Sequence, residues 1–195
     1  MSELSTPRLW LRQWRASDLE PFAAINADPR VMEFMTGCLS PAESDALARR
    51  AEEEIARQGW GLWASELRAS GAFIGFVGLH VPSFEARFTP CVELGWRLEQ
   101  SSWGNGLATE AARECLRFAF ESLVLDEVVS YTVPLNRRSR AVMERLGMRR
   151  DESDDFDHPR LPAGHPLRRH VLYRLRRKDW QGTGGSAVSA RFADS

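Results

Sequence analysis

The chain has 195 residues, of which 43% are hydrophobic and 27% charged, and its formal net charge at pH 7 is −1. This size and composition are typical of one globular domain, and the near-neutral charge gives no indication of nucleic-acid binding. No apolar run is long enough to span a membrane, the first residues lack a secretory leader pattern, and three scattered cysteines form no zinc motif. We therefore expect a cytoplasmic protein that binds neither a membrane nor a metal ion.

The first predicted elements are a strand and a helix. Apolar residues alternate imperfectly over residues 8–14, which predicts a strand. Ser17 is followed three residues later by Glu20, a capping-box pattern that predicts the start of a helix. The Asp-Pro pair at 28–29 ends that helix, and a short helical piece is predicted from there to Met35.

A longer helix and a β-hairpin come next. Ser40-Pro41-Ala42-Glu43 is a second capping box with proline at the first helical position, so a helix is predicted to about Arg57. Apolar stretches at 62–67 and 73–79, joined by a turn at 68–71, predict the hairpin. A further strand is predicted over residues 91–98.

The second half of the chain is predicted to alternate between helices and strands. Between residues 106 and 121 the apolar spacing changes from two residues to 3.6, which is typical of an amphipathic helix. A strand, a helix and a strand are then predicted at 127–133, 136–146 and 170–176. These elements predict a mixed α/β domain over residues 1–180, followed by a flexible polar tail at 181–195.

The loop before the amphipathic helix carries two glycines, Gly104 and Gly106. Residues without side chains let backbone N–H groups approach an anion closely, and a helix start adds free N–H groups and a positive dipole end. This arrangement is suited to a diphosphate. A tight turn that binds nothing is the alternative interpretation of the loop alone.

Two familiar phosphate-binding patterns do not match this loop. A P-loop requires Gly-Lys-Ser/Thr at the helix start, whereas this chain has Gly106-Leu107-Ala108. A dinucleotide fingerprint requires a third glycine near position 109, where the chain has Thr109. The loop is therefore expected to bind a diphosphate of another kind.

Several motifs, in this order, resemble the GNAT superfamily of N-acetyltransferases and within it the RimJ/RimL type. They are Thr6-Pro7-Arg8-Leu9, Asp28-Pro29-Arg30, Phe73-Ile74-Gly75, Glu93-Leu94-Gly95-Trp96-Arg97-Leu98, the loop from Trp103 to Ala111, Asn136-Arg137-Arg138-Ser139-Arg140 and Leu146-Gly147-Met148. The resemblance covers about residues 4–180. It implies the GNAT fold, a central, mostly antiparallel twisted sheet of about seven strands that is splayed between the fourth and fifth strands and flanked by helices.

The resemblance also implies that acetyl-CoA binds as the co-substrate, with no metal. The pantetheine arm is expected to run beside the fourth strand and bond to main-chain groups at Trp96, Arg97 and Leu98. The pyrophosphate is expected on N–H groups of Trp103, Gly104, Asn105, Gly106, Leu107, Ala108 and Thr109. Asn136 is expected to bond to the pantetheine, with Ser139 and Arg140 near the cofactor.

The chain departs from the family pattern at two positions. Trp103 stands where the loop of most members begins with Gln or Arg, and this tryptophan is common in the RimJ/RimL branch. Met143 stands where many relatives carry a tyrosine that protonates the departing thiolate. The chain has only two tyrosines, Tyr131 and Tyr173, so the usual proton donor is missing.

Direct attack of an amine on a thioester requires a base, because an alkylamine is mostly protonated at neutral pH. Glu93 is our candidate for this base, since its strand is expected to face the thioester. An ion-paired structural carboxylate is the alternative. Ser139 is a candidate proton donor to the thiolate, with helix capping as its alternative role.

Other polar groups have weaker functional interpretations. The run 151–157 contains five carboxylates, which could border an acceptor channel and attract a cationic amine, or could be a solvated loop before the basic cluster at 168–178. The four histidines have no metal-binding spacing and are expected at the surface, and those at 158, 165 and 170 could at most line the acceptor site. Cys91 and Cys115 are expected in the core.

The resemblance predicts an enzyme that transfers an acetyl group from acetyl-CoA to a primary amine. The acceptor could be a protein N-terminal α-amino group, as in a peptide, or a small molecule. A non-catalytic acyl-CoA-binding regulatory module is the main alternative, supported by the missing tyrosine, and a plain phosphate-binding protein is a weaker one. No nucleic-acid or membrane partner is expected, and a homodimer is left open.

Overall fold

The computed structural model describes residues 2–182 and contains a nine-stranded sheet. The strands are β1 (Leu4–Ser5), β2 (Leu9–Arg12), β3 (Leu62–Leu67), β4 (Phe73–His80), β5 (Glu93–Leu98), β6 (Glu127–Thr132), β7 (Arg149–Arg150), β8 (Phe156–Asp157) and β9 (Arg169–Arg176). Their order is β1-β2-β3-β4-β5-β6-β9-β7, with β8 paired to β9. Every pairing is antiparallel except that of β5 with β6.

Four α-helices cover this sheet: α1 (Leu19–Ala27), α2 (Pro41–Gln58), α3 (Leu107–Arg117) and α4 (Arg137–Arg145). Phe76 of β4 contacts Phe22 of α1, whereas Trp63 of β3 contacts Phe118 just after α3. Trp63 is in register with Val77, the neighbour of Phe76, so the two contacts lie on opposite faces of the sheet. The mixed α/β fold that the resemblance predicted is thereby confirmed.

The second capping box was predicted correctly and the first was not. Ser40 accepts the N–H of Glu43, and the Glu43 carboxylate accepts the N–H of Ser40, so α2 begins as expected. Ser17 instead lies exposed within a short 3-10 turn. Its neighbour Asp18 turns inward, where it binds the buried guanidinium of Arg12 at 2.7 and 2.9 Å. Pairing of that buried cation, rather than serine capping, determines the local backbone.

Other predicted boundaries also differ from the structure. The short helical piece expected after residue 28 is a series of turns, and the first strand ends at Arg12 instead of continuing to residue 14. The helix predicted over 106–121 ends at Arg117 and continues as a π-helical turn to Ser122. None of the helices within residues 2–182 combines the length and apolarity needed to cross a membrane. The predicted tail falls outside the described residues except for positions 181 and 182.

The central feature for function is the separation of β5 from β6. These parallel strands are paired only at Glu93 and Val129 and then diverge. On its other edge β5 stays paired with β4 along its whole length, from Glu93 opposite His80 to Leu98 opposite Gly75. The end of β5 therefore has one free main-chain edge, which borders an open cleft.

Candidate active site

A cleft of about 1140 Å³ lies beside the free edge of β5. Most residues of the predicted cofactor site line it: Trp96, Arg97, Leu98, Trp103, Gly104, Gly106, Leu107, Ala108, Thr109, Asn136 and Ser139. Of the predicted set, Asn105 and Arg140 do not line it, and neither does the predicted base Glu93. The structure thus brings three separate stretches of sequence to one cavity.

The glycine loop has the geometry that an anion cradle requires. Gly104 and Gly106 have φ angles of 77° and 75°, in the left-handed region that glycine adopts without strain. Gly106 precedes α3, and the first N–H groups of an α-helix have no intrahelical partner. No side chain caps this helix start, so these N–H groups are free to bind a ligand. These groups and the helix dipole are suited to a diphosphate.

Side-chain contacts hold the glycine loop in place. Arg8 donates to the carbonyl of Asn105 at 2.9 Å and forms an ion pair with Glu110 of α3 at 2.6 Å. The indole of Trp103 donates to the carbonyl of Leu98 at 2.9 Å, which ties the loop to the end of β5. These contacts tie the loop to α3, to β5 and to the segment before β2.

Arginines give the cleft a positive character. Arg113, Arg137 and Arg145 are among its lining residues. Arg138 stacks on the ring of Trp103 at 4.4 Å and pairs with Glu33 across the cleft at 3.0 Å. A cofactor with several phosphate groups fits such a lining electrostatically.

The side chain of Asn136 caps α4. It accepts the N–H of Ser139 at 3.2 Å and donates to Thr132 at 3.0 Å. Arg140 instead donates to the hydroxyl of Tyr173 at 3.2 Å and to the carbonyl of Pro134 at 3.1 Å. The predicted cofactor contacts of Asn136 and Arg140 remain predictions.

Ser139 is half-buried and lines the cleft, one helical turn before Met143. Met143 is only 1% exposed and packs in the core, so this position supplies no proton donor. Tyr173 binds Glu144 and Arg140 and is also buried. Ser139, the predicted proton donor, therefore has its hydroxyl at the cleft, whereas Met143 and Tyr173 are buried away from it.

Glu93 lies where β5 and β6 begin to diverge, and it is only 8% exposed. Its Oε2 lies 3.2 Å from Nε2 of His80, the residue opposite it on β4. Burial by itself lowers the pKa of His80, but the charge and hydrogen bonding of Glu93 outweigh this effect and raise the pKa. Burial, followed by the charge of Glu93, raises the pKa of Tyr131 on β6.

The sequence interpretation missed His80 and Tyr131. His80 was expected at the surface, but its ring is half-buried against Glu93. The sequence offered no signal for this contact, because only the register of β4 with β5 places His80 opposite Glu93. His158 and His170 are also half-buried, in a cluster with Phe156 and Tyr131.

The acidic run at 151–157 is largely ion-paired within the protein. Asp154 lies 2.7 Å from Arg174, and Asp155 lies 2.5 Å from Arg150. Asp157 lies 3.5 Å from both Arg168 and Arg169. These pairs support the structural interpretation of the run, because carboxylates that already have cationic partners attract an external amine weakly. Residues 2–182 contain no group of three or more potential metal-binding side chains.

Replacing His80 with glutamine is expected to change the pH dependence of stability. Because Glu93 raises the pKa of His80 in the folded protein, protonated His80 stabilises the fold below its unfolded pKa of about 6.5. That contribution is lost as pH rises through the folded-state pKa. The free energy of unfolding lost in His80→Gln, measured by urea titration, should be larger at about pH 5.5 than at about pH 9.

His158→Gln is the matched control for this measurement. Burial and the neighbouring His170 lower the pKa of His158, so its contribution should have the opposite pH dependence. If His80→Gln lowers the free energy of unfolding equally at both pH values, the assigned ion pair between His80 and Glu93 is contradicted.

The sequence matches the model of the acetyltransferase (GNAT) domain over residues 8–149. It is 38% identical over 186 residues to FsC-acetyl coenzyme A-N(2)-transacetylase of Aspergillus fumigatus, covering 91% of this chain and 77% of that protein. An acetyltransferase from Agrobacterium tumefaciens superposes with a TM-score of 0.72 at 32% identity, covering 90% of this chain and 95% of the other.

A structure of Mycobacterium smegmatis RimJ, solved with CoA-disulfide, superposes with a TM-score of 0.69 at 22% identity. The superposition covers 91% of this chain and 87% of that one. At this level of identity the likeness concerns the fold.

Proposed function

The chain belongs to the GNAT acetyltransferase family and is an acetyl-CoA-dependent N-acetyltransferase, and from this premise we propose that its acceptor is a primary amine deprotonated by Glu93. The observation that carries the proposal is the buried carboxylate of Glu93 where β5 and β6 separate, beside the cleft. In a GNAT fold this point of separation is where the thioester of the co-substrate is expected.

The position two residues after Glu93 carries no side chain. Gly95 follows it on the same face of β5, and a Cβ atom there would meet nothing closer than His80 at 3.9 Å and Glu93 and Leu62 at 4.0 Å. An amine above Gly95 would therefore be within reach of the Glu93 carboxylate. The paired His80 would hold that carboxylate in one orientation.

The proposed reaction is a single displacement. The amine nitrogen attacks the thioester carbonyl carbon while Glu93 takes the nitrogen's proton, directly or through one water. Main-chain N–H groups of β5 would stabilise the negative charge that develops on the carbonyl oxygen. When the carbon–sulfur bond breaks, the thiolate takes a proton, and Ser139 is our candidate donor because its side chain borders the cleft.

For the co-substrate, we propose the sites that the family resemblance implied. The free edge of β5 at Trp96, Arg97 and Leu98 would hold the pantetheine, and the loop from Trp103 to Thr109 would hold the pyrophosphate. The open edge, the left-handed glycines and the uncapped start of α3 support this assignment. Asn105 and Arg140 do not line the cleft, so the geometry adds no support for their assignment to the cofactor site.

The acceptor is a small-molecule amine or a protein N-terminal α-amino group. The name of the 38% identical relative specifies transfer to an N(2) nitrogen, which supports a nitrogen acceptor in this chain. Asp154, Asp155 and Asp157 of the acidic loop are already paired with arginines, which weakens the attraction of that loop for a basic peptide.

Calorimetric titration with acetyl-CoA, followed by CoA release against a panel of amines and peptides, tests the proposal. We expect saturable binding of acetyl-CoA and turnover with at least one amine. Binding without turnover on any member of the panel would favour a non-catalytic acyl-CoA-binding module. Absence of any stabilisation against heat by acetyl-CoA would contradict the assigned cofactor site.

A further inference from the structure

Arg97 is a buried cation without a carboxylate partner. Within residues 2–182 no Asp or Glu oxygen lies within 4.0 Å of its guanidinium, and its Nε is shielded from solvent with no hydrogen-bond partner. Burial lowers the pKa of Arg97 to about 10, which leaves it protonated at neutral pH. Arg12, the other arginine in a comparable setting, is paired with both Asp18 and Glu66.

A buried polar chain holds the Arg97 guanidinium in place. Its Nη1 donates to Oδ1 of Asn26 on α1 at 2.6 Å. The amide nitrogen of Asn26 donates in turn to the hydroxyl of Ser44 on α2 at 2.8 Å. Asn26 and Ser44 are both 0% exposed. Two buried polar groups, one on α1 and one on α2, thus hold this cation of β5 at the edge of the cleft.

Arg97 and Glu93 lie on the same face of β5, on either side of Gly95. Side chains two residues apart in a strand share a face, and four residues span about 13 Å between Cα atoms. The guanidinium of Arg97 packs over the ring of Phe76, a residue on the α1 side of the sheet. Glu93 and Arg97 therefore project from the same face of β5 on either side of Gly95, and Arg97 also lines the cleft.

We propose that the Arg97 guanidinium is an anion subsite that binds a carboxylate carried by the acceptor amine. This inference rests on the proposed function, because it places the reacting amine above Gly95 with Glu93 as its base. An arginine binds a carboxylate through a two-pronged pair of hydrogen bonds, and Arg97 lines the cleft without a carboxylate partner among residues 2–182. The acceptor is then an amino acid or related amino carboxylate.

The chemistry of the subsite predicts a preference between matched acceptors. Glycine, 4-aminobutanoate and 6-aminohexanoate differ in the distance between amine and carboxylate. The corresponding primary amide of each acid lacks the negative charge and serves as its comparison. We expect kcat/KM, measured by CoA release, to be at least about 10-fold higher for the best acid than for its amide, the scale of a charged hydrogen bond. Equal kcat/KM values for acids and amides would overturn the proposal.

Two variants test the role of Arg97 itself. Arg97→Gln should remove the preference by lowering kcat/KM for the acid more than for the amide. Asn26→Asp keeps the arginine in place but gives it an internal carboxylate, so KM for the acid should rise with kcat little changed. Arg117→Gln is the matched control, because Arg117 pairs with Glu114 on α3. This variant should retain the preference for the acid.

Binding measurements separate failure of this inference from failure of the proposed function. The affinity for acetyl-CoA should be unchanged in Arg97→Gln, and a loss of about 10-fold or more would assign the guanidinium to the cofactor instead. If no amine turns over, thermal unfolding of the CoA-bound protein with each acid and amide still tests the subsite. Stabilisation by the acid alone supports it, and equal or no stabilisation by both overturns it.

Discussion

Glu93→Gln is expected to lower kcat by about 100-fold or more, because the amide cannot accept the proton of the attacking amine. Glutamine has nearly the same shape as glutamate, and the affinity for acetyl-CoA should stay unchanged because the carboxylate lies outside the cofactor cleft. The acidic limb of the pH–rate profile should also change, since it reports protonation of the base. Steady-state kinetics over a range of pH, together with calorimetry, provides the measurement.

Glu127→Gln is the matched control for the catalytic variant. Glu127 lies on β6 in the same sheet, but its carboxylate pairs with Arg174 at 2.5 Å and does not border the cleft. Its replacement should leave kcat within about twofold of the unmodified protein. A kcat in Glu93→Gln that is reduced no more than in Glu127→Gln, or a pH–rate profile that does not change, would exclude Glu93 as the base.

Gly75→Ala is expected to lower the free energy of unfolding by about 4 kcal/mol, the sum of two penalties. The φ angle of Gly75 is +127°, which an alanine adopts only with strain. A Cβ atom there would also lie 2.1 Å from the carbonyl oxygen of Arg97 and 2.9 Å from Cα of Leu98, both backbone atoms of β5. Urea denaturation measures the loss directly.

Two glycine variants separate the two penalties at Gly75. Gly71 has a φ of +71° with no atom within 4 Å of an added Cβ, so Gly71→Ala should show only backbone strain, about 1 kcal/mol. Gly78 has no positive φ, but an added Cβ would lie 2.1 Å from the Gly61 carbonyl oxygen, so Gly78→Ala should show only the clash. A loss in Gly75→Ala no larger than that in Gly71→Ala would contradict the close approach of β4 and β5.

The parts of this protein that the sequence predicted are those determined by neighbouring residues. The capping box at Ser40 and the glycines before α3 act through backbone groups within a few residues of themselves. Local geometry of this kind can be inferred from spacing and residue type. The failed capping box at Ser17 shows the limit, because Asp18 and not Ser17 turns inward, where it pairs with the buried Arg12 and accepts the N–H of Arg15.

Only the tertiary structure brought the acceptor-side groups together. His80 meets Glu93 through the register of two strands, and Arg97 meets Asn26 across 71 residues of sequence. Such contacts depend on strand register and on how α1 and α2 pack over the sheet, which no short pattern encodes. The sequence by itself therefore determined the fold family and the donor loop. The fold decided which charged groups surround the acceptor, because burial and long-range packing place them.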